Sequence, residues 1–225
     1  SSVTNLDGSE FAYSGLTNVV FSEGLTSIDW FAFYSCTNLT AVTIPEAVLK
    51  IGAMAFYNCT GLTKVAIPSK VTSIDQATFM YCTGLTAVMI PDGVACIESS
   101  AFNGCSRLKE VKIPSCVSRI GSSAFKGCSA LQSVTLPENC VVESLAFSGC
   151  SKLTSATIPS SVTFNGDAFY GCNLLKTIYT DDIEIVKKHL RDSGMDYAQF
   201  DELTFVNLVL SHKVAIPVAS TGLVY

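Results

Sequence analysis

The chain has 225 residues, of which 48% are hydrophobic and 15% are charged, and its formal net charge is −5. This composition excludes a disordered chain, because enough apolar surface is present to fill one or two cores. The negative charge argues against nucleic acid as a partner, and no apolar run reaches the ~18 residues that a membrane-spanning segment needs. No basic and then apolar leader is present, so we expect that any targeting segment was removed or lies outside this sequence.

Residues 1–15 are predicted to be an N-terminal lead-in or cap. The stretch GLTNVVFSEGLTSI, Gly15–Ile28, keeps the apolar spacing of the units that follow it. Its first Leu, its first Val and its Phe lie one repeat length before the Leu, Val and Ile of the next strand. Counting back by the same interval, Glu10 and Tyr13 stand where later units have Phe and Cys. The sequence therefore predicts a degenerate first repeat.

Residues 16–179 form an internal repeat with a period of about 23 residues, and its last two steps are one position shorter. Phe, Cys, Leu and six of the seven prolines share this period, which chance does not give to four residue types. We call the Phe and Cys positions the structural ladder. Its members are Phe33, Phe56, Phe79, Phe102, Phe125, Phe147 and Phe169, followed three residues later by Cys36, Cys59, Cys82, Cys105, Cys128, Cys150 and Cys172.

The repeat unit reads LxxVxIPxxVxxIxxxAFxxC. Its first part alternates apolar and polar residues, which predicts a half-buried strand that ends at the proline. Its later part, such as IGSSAFKGC, predicts one or two helical turns that end near a Gly or Asn. One unit cannot bury its apolar face alone, so about seven units are expected to stack into a solenoid with a parallel sheet.

Residues 180–225 are predicted to form a helical cap and a tail. The stretch TDDIEIVKKHLRDSG indicates an amphipathic helix with Thr180 or Asp181 as its cap and Gly194 at its end. Ile183, Val186 and Leu190 form its apolar face, which is expected to cover the last repeat. The motif KVAIP at Lys64–Pro68 recurs at Lys213–Pro217, so the tail is expected to contain another strand and to open a further segment.

The strand motif LxxVxI, the AFxxC block and the Ile-Pro pair resemble the BspA-like leucine-rich repeat family. The resemblance covers residues 16–179, although the Asn or Cys found beyond the strand in other leucine-rich repeats is absent. It implies a curved solenoid with its sheet on the concave face, short helical turns on the convex side and a C-terminal capping helix. It also implies a secreted or cell-surface location, and partners among host or cell-surface macromolecules.

Cysteine chemistry is the main alternative to a purely structural ladder. No CxxC pair is present, so a zinc site is not predicted, and stacked thiols cannot surround an ion. Adjacent repeats lie close enough for disulfides, yet parallel side-chain directions favour buried free thiols. For Cys96, Cys116 and Cys140, which lie off the ladder, pairing stays open.

An enzyme is not predicted, and neither is a cofactor. The two histidines, His189 and His212, lie in the helix and the tail, away from every ladder cysteine, and no nucleotide-binding or hydrolase motif occurs. A catalytic role would require an activity that depends on one of these two histidines.

Three sets of exposed residues are candidates for binding. The first is the outward side of the sheet, mostly Thr, which includes Met89. The second is a basic set on consecutive repeats, which could dock an anionic glycan or an acidic protein, or could be solvated surface. The third is an apolar set next to the ladder Phe, joined by Tyr81 and Trp30, which could bind a partner or pack on a preceding domain. The basic set is Arg107, Lys109, Lys112, Arg119 and Lys126, and the apolar set is Tyr34, Tyr57, Met80 and Tyr170.

The sequence favours a non-enzymatic, adhesion-type module that binds a protein or glycan at a cell or matrix surface. The alternative is a structural spacer or assembly domain in a larger surface protein. Nucleic acid and a membrane-spanning segment are not expected.

Overall fold

Most repeats contribute two strands, one more than the sequence predicts. The computed structural model describes residues 5, 6 and 8–208. In chain order its strands are β1 (Asn5–Leu6), β2 (Asn18–Val20), β3 (Ser27–Ile28), β4 (Ala41–Thr43), β5 (Lys50–Ile51), β6 (Lys64–Ala66), β7 (Ser73–Ile74), β8 (Ala87–Met89), β9 (Cys96–Ile97), β10 (Arg119–Ile120), β11 (Ser133–Thr135), β12 (Val141–Glu143), β13 (Ser155–Thr157), β14 (Thr163–Asn165), β15 (Thr177–Thr180) and β16 (Thr204–Asn207). They pair in parallel, so the chain winds into a solenoid whose coils we call rungs.

The front column contains the predicted strands β2, β4, β6, β8, β11, β13 and β15, followed by β16. In β4, β6 and β11 the central valine is buried and both flanking residues are exposed. This alternation of buried and exposed residues is the pattern that the sequence predicts for a half-buried strand. The outward side chains of this column form the front face.

The side column contains β1, β3, β5, β7, β9, β10, β12 and β14. Most of its strands have two residues, of which only the second, an Ile, is buried. Two residues are too few to show alternation, so the sequence gives no signal for this column.

The segment between the side strand and the ladder cysteine is a series of hydrogen-bonded single turns. Met54 and Asn58, two residues before and after Phe56, both have positive φ, at +57° and +56°. Left-handed residues interrupt a right-handed helix, so the helical turns stay short. The turns of adjacent rungs are also joined, for example by the Phe56 N–H, which donates to the Thr78 carbonyl at 2.9 Å.

The ladder phenylalanines form the centre of the core. All seven are fully buried, and neighbouring rings stack with centroids 5.2–5.6 Å apart. The stack continues to Phe11, whose ring lies 5.4 Å from Phe33, so the prediction that Glu10 takes the Phe position is wrong. The prediction of Tyr13 at the cysteine position is also wrong, because Ser14 lies there, with its Oγ 3.2 Å from Cys36 Sγ. The first step is one position shorter than the next, which shifts both assignments by one.

The C-terminal cap consists of α1 (Ile183–Asp192), α2 (Tyr197–Asp201) and β16. Asp182 caps α1 by accepting the Ile185 N–H, whereas the predicted cap residue Asp181 accepts two hydrogen bonds from Ser160. Val186 and Leu190 are buried, as predicted, and Gly194 follows the helix with φ +87°.

After α2 the chain returns to the front column, where β16 pairs with β15. The predicted strand at Lys213–Pro217, and His212, lie outside the described residues. No helix within the described residues is long and apolar enough to cross a membrane.

Candidate functional site

The front column is interrupted in the rung that begins at Leu108. Residues 109–113 form no strand, so β8 pairs only with β6 and β11 only with β13. The Lys109 N–H lies 3.4 Å from the Thr86 carbonyl, and the Gln132 N–H lies 3.4 Å from the Lys109 carbonyl. These distances are long for N–H···O bonds, whose usual range is about 2.7–3.2 Å. Three charged residues within four positions have low strand propensity, which favours this interruption.

Two shallow grooves flank the interruption on the front face. One has a volume of about 680 Å³ and is lined by Met89, Val111, Lys112 and Thr135 among others. The other, of about 740 Å³, lies between Lys112 and Pro159. Lys112 borders both grooves, and Met89 is 71% exposed.

The sequence places the five basic residues on consecutive repeats, but in the structure they lie on different sides of the solenoid. Lys109 and Lys112 lie exposed on the front face, and Arg107 lies in the loop before it. Arg119 belongs to β10 in the side column and forms an ion pair with Glu98, a hydrogen bond that also raises the pKa of the guanidinium. Lys126 follows Phe125 in the single turns. Within the described residues, Lys109 and Lys112 form no ion pair, so these two lysines remain available on the front face.

A second candidate surface is aromatic and lies on the single turns of the first rungs. The Tyr34 and Tyr57 rings stack with centroids 4.6 Å apart and an interplanar angle of 1°. Tyr13 contacts Tyr34 at 5.4 Å, and Tyr81 contacts Tyr57 edge-on at 5.5 Å. We call the connected set the aromatic surface, and its members are Tyr13, Trp30, Phe31, Tyr34, Tyr57 and Tyr81.

Much of this surface faces solvent. Tyr13 is 74% exposed, Trp30 60% and Tyr81 41%. Burial, with a smaller contribution from Tyr34 and Tyr81, raises the pKa of Tyr57, which keeps its hydroxyl neutral. Met80 is half-buried, and Tyr170 lies on a distant rung, so neither belongs to the connected rings. Sequence reasoning missed Tyr13 because counting back by a full repeat assigned it to the cysteine position.

Tyr13 and Tyr81 hold a strained backbone. Their φ angles are +59° and +61°, in a position that later rungs fill with Gly104, Gly127, Gly149 and Gly171. Positive φ is costly for a bulky residue, and in the two rungs between them Ser35 and Asn58 have the same conformation at this position. The Tyr81 ring lies over Gly104, where an added Cβ would come within 2.5 Å of Tyr81 Cδ1.

The ladder cysteines are structural in their geometry. Each thiol donates to the carbonyl of a phenylalanine one rung earlier: Cys82 donates to Phe56 at 3.1 Å and Cys105 to Phe79 at 3.2 Å. For Cys36 this phenylalanine is Phe11. Burial raises the pKa of Cys82 to about 12 and raises that of Cys105 well above its usual value. These thiols stay protonated near neutral pH, and a thiol rather than a thiolate is a poor nucleophile and metal ligand.

All ten cysteines are free thiols in the structure. Off the ladder, Cys140 is buried, Cys96 is half-buried and Cys116 is exposed. The Cys116 thiol donates to the carbonyls of Asp92 and Val94, at 2.6 and 3.1 Å. The residues that the structure describes contain no cluster of three or more His, Cys, Asp or Glu side chains that could hold a metal ion. His189 lies in α1, where its Nδ1 is buried without a hydrogen-bond partner.

Parallel strands that recur with the period of the repeat, with leucine, valine and isoleucine directed inward, define a leucine-rich repeat solenoid. The BspA type leucine rich repeat region matches residues 4–94 and 77–191 in six copies. The chain belongs to this family. The predicted solenoid is thereby confirmed, and the C-terminal helix α1 is compatible with it.

Solved structures of bacterial leucine-rich repeat proteins are similar to the chain. The leucine rich repeat protein TpLRR of T. pallidum is 26% identical, with a TM-score of 0.57, over 80% of this chain and 87% of that one. The pneumococcal vaccine antigen PcpA is 15% identical, with a TM-score of 0.51, over 88% and 69%. A leucine-rich repeat protein from Bacteroides ovatus is 23% identical, with a TM-score of 0.48, over 80% of this chain and 66% of that one. No curated protein matches the sequence.

Proposed function

We propose that the chain is a non-enzymatic binding module at a cell surface, which recognises a protein or glycan of a host or neighbouring cell on its front face. The observation that carries this proposal is the interruption of the front column at residues 109–113, where two grooves meet at Lys112. Family membership supports it, because leucine-rich repeat proteins generally mediate protein interaction. The surface location rests on the family alone.

The grooves suit a macromolecule better than a small metabolite. They are open troughs along the front face, bordered by backbone, Thr and Pro as well as by Lys112 and Met89. Exposed methionine adapts to the shape of a partner, and unpaired lysines steer an acidic surface towards the groove. The ladder thiols are buried, so the proposal assigns them no chemistry and no cofactor.

A binding screen of the chain against matrix proteins and surface glycans tests the proposal. Lys109→Glu with Lys112→Glu is expected to weaken the partner found in the screen by about tenfold or more, because charge reversal replaces attraction by repulsion. Lys126→Glu is compared with each single variant, Lys109→Glu or Lys112→Glu, as the control, since it makes the same change of charge away from the front face. Equal affinity of the front-face variants and this control, or no partner in the screen, would reject the front face as the binding site.

The second candidate function is a structural spacer or assembly domain. The exposed aromatic surface favours it, because such patches are typical of contacts between domains or copies. Under this hypothesis, Tyr34→Ser and Tyr57→Ser change the oligomeric state measured by sedimentation, whereas the lysine variants do not. Under the binding-module hypothesis the lysine variants change affinity and the chain stays monomeric. An activity lost on changing His189 or His212 would point instead to an enzyme.

A further inference from the structure

We propose that the aromatic surface, with Glu10 and Asp29 beside it, binds an extended cationic peptide segment rich in arginine or lysine. This inference rests on the proposed function, a binding module, but it concerns a second site. That site lies on the single turns of the first rungs, away from the front face.

Charge is the first argument. Residues 1–49 contain five acidic and no basic residues. Glu10 and Asp29 are exposed and lie in the same turns as Tyr13 and Trp30. The backbone N–H of Trp30 donates to Asp29 Oδ1 at 2.8 Å, which holds this carboxylate at the start of the turn that carries Trp30. Within the described residues neither carboxylate forms an ion pair, so both can accept a cation from a partner.

The rings supply the second argument. The face of an aromatic ring is electronegative and attracts a guanidinium or ammonium group within about 6 Å, with Trp the best acceptor. The chain already uses this contact at its other end, where Arg191 lies 4.7 Å from the Phe200 ring and Lys187 lies 5.4 Å from Phe205. In the described part of the first rungs no Arg or Lys side chain lies over an aromatic ring. The Trp30 and Tyr13 rings are nevertheless more exposed than the Phe200 ring.

The backbone gives the third argument. Tyr13 and Tyr81 occupy left-handed positions at the two ends of the stacked pair Tyr34 and Tyr57, and so extend the row of rings over four rungs. Adjacent rungs of a parallel sheet lie about 4.8 Å apart, so the row spans about 15 Å. An extended peptide places alternate side chains about 7 Å apart and covers that row with two or three cations. A neutral glycan would use the rings and donate hydroxyl hydrogen bonds to the carboxylates, but it would gain no charge–charge attraction from them, so charge favours the peptide.

Trp30 is the only tryptophan, so its fluorescence reports on the site directly. The full chain is titrated with a peptide of repeating Ser-Arg units, which places arginine on alternate residues, with Ser-Gln and Ser-Glu peptides and maltohexaose as comparison ligands. Saturable change of the Trp30 emission is expected with the arginine peptide, weakened by salt. The glutamine and glutamate peptides and maltohexaose are expected to bind at least about fivefold more weakly.

Labelled-peptide anisotropy then compares variants, with thermal unfolding as the check that each is folded. Trp30→Ala and Asp29→Asn are each expected to raise Kd about fivefold. Tyr170→Ala is the ring control, since it occupies the same repeat position as Tyr34 and is 62% exposed at the other end. Glu46→Gln is the charge control. It removes the same charge as Asp29→Asn in a different part of the rung.

The proposal is overturned by any of four results: no saturable binding, equal binding of the glutamine peptide or maltohexaose, equal loss in a variant and its control, or self-association that Trp30→Ala abolishes. Lys112→Glu separates the two sites, because it should leave peptide binding intact. If the front face binds no partner, the peptide can still bind the aromatic surface. If the peptide does not bind, the proposal for the front face is unaffected.

Discussion

Replacing Phe102 by Ala tests whether the ring stack is a continuous structural element. Phe102 is fully buried and stacks on Phe79 at 5.4 Å and on Phe125 at 5.2 Å, with interplanar angles of 8° and 9°. A buried Phe→Ala change removes about 3–5 kcal/mol, and each aromatic pair adds about 0.5–1.5 kcal/mol. Because these contributions overlap, we expect a loss of about 4–6 kcal/mol in the free energy of unfolding.

Two further variants separate the causes. Phe102→Leu keeps an apolar side chain and loses the ring contacts, so we expect a cost of about 1–3 kcal/mol. Phe11→Ala removes a half-buried ring that ends the stack with its contact to Phe33, and the expected cost is likewise about 1–3 kcal/mol.

Urea unfolding followed by Trp30 fluorescence and by far-ultraviolet circular dichroism provides the measurement. In a solenoid each rung contacts only its neighbours, so a cavity in the middle weakens the coupling between the halves. The two probes should coincide in the parent chain and separate in Phe102→Ala, since Trp30 reports on the N-terminal half. A cost below about 2 kcal/mol for Phe102→Ala, or an equal cost for Phe11→Ala, would refute the argument from stacking.

Three other measurements test the turns, the thiols and a carboxylate. Gly104→Ala, at φ +76° with its Cβ 2.5 Å from Tyr81 Cδ1, is expected to cost about 1–3 kcal/mol in urea unfolding, and Tyr81→Ala in the same chain should recover part of it. A thiol reagent should label Cys116 first in the folded chain and all ten cysteines after denaturation, and early labelling of the ladder would contradict their burial. Hydrogen bonds from the Ser69 N–H and Oγ lower the pKa of Glu46, so this contact stabilises the fold above the unfolded pKa and is lost as pH falls through the folded one. Ser69→Ala should move the pKa of Glu46, followed by NMR, partway back, because the N–H remains, and an unmoved pKa would exclude the hydroxyl as a cause.

The fold was predictable because burial repeats with the sequence. The period of Phe102 and Cys105 specifies which side chains point inward, and Pro114 marks the end of the front segment in its rung. The carbonyl that accepts the hydrogen bond of each cysteine thiol was not predictable, since it belongs to the phenylalanine of the preceding rung. That contact requires the stacking geometry, in which Cys105 Sγ lies 3.2 Å from the Phe79 carbonyl.

The candidate sites were less accessible from the sequence, because a period gives the rung of a residue but not its direction. Arg119 and Lys109 lie within one unit, yet one belongs to the side column and the other to the front face. The side strands have too few residues to show their own alternation. Tyr81 was a candidate from the sequence, but the backbone conformation of Tyr13 and Tyr81 was not predictable: the left-handed position can be recognised from glycine in later rungs, whereas nothing in a tyrosine predicts positive φ.

The departures from the repeat suggest how a uniform scaffold acquires specific surfaces. Residues that follow the period fill the core, and a change there costs stability along the whole stack. Residues that break it are free of this cost when they point outward, as Lys112 does. Tyr81 breaks the repeat where glycine would relieve backbone strain, and its ring remains 41% exposed. Ser35 and Asn58 have positive φ at the same position, so this conformation belongs to the fold. What packing leaves unused is the exposed part of the Tyr81 ring, and this is the part that the proposed ligand of the aromatic surface would contact.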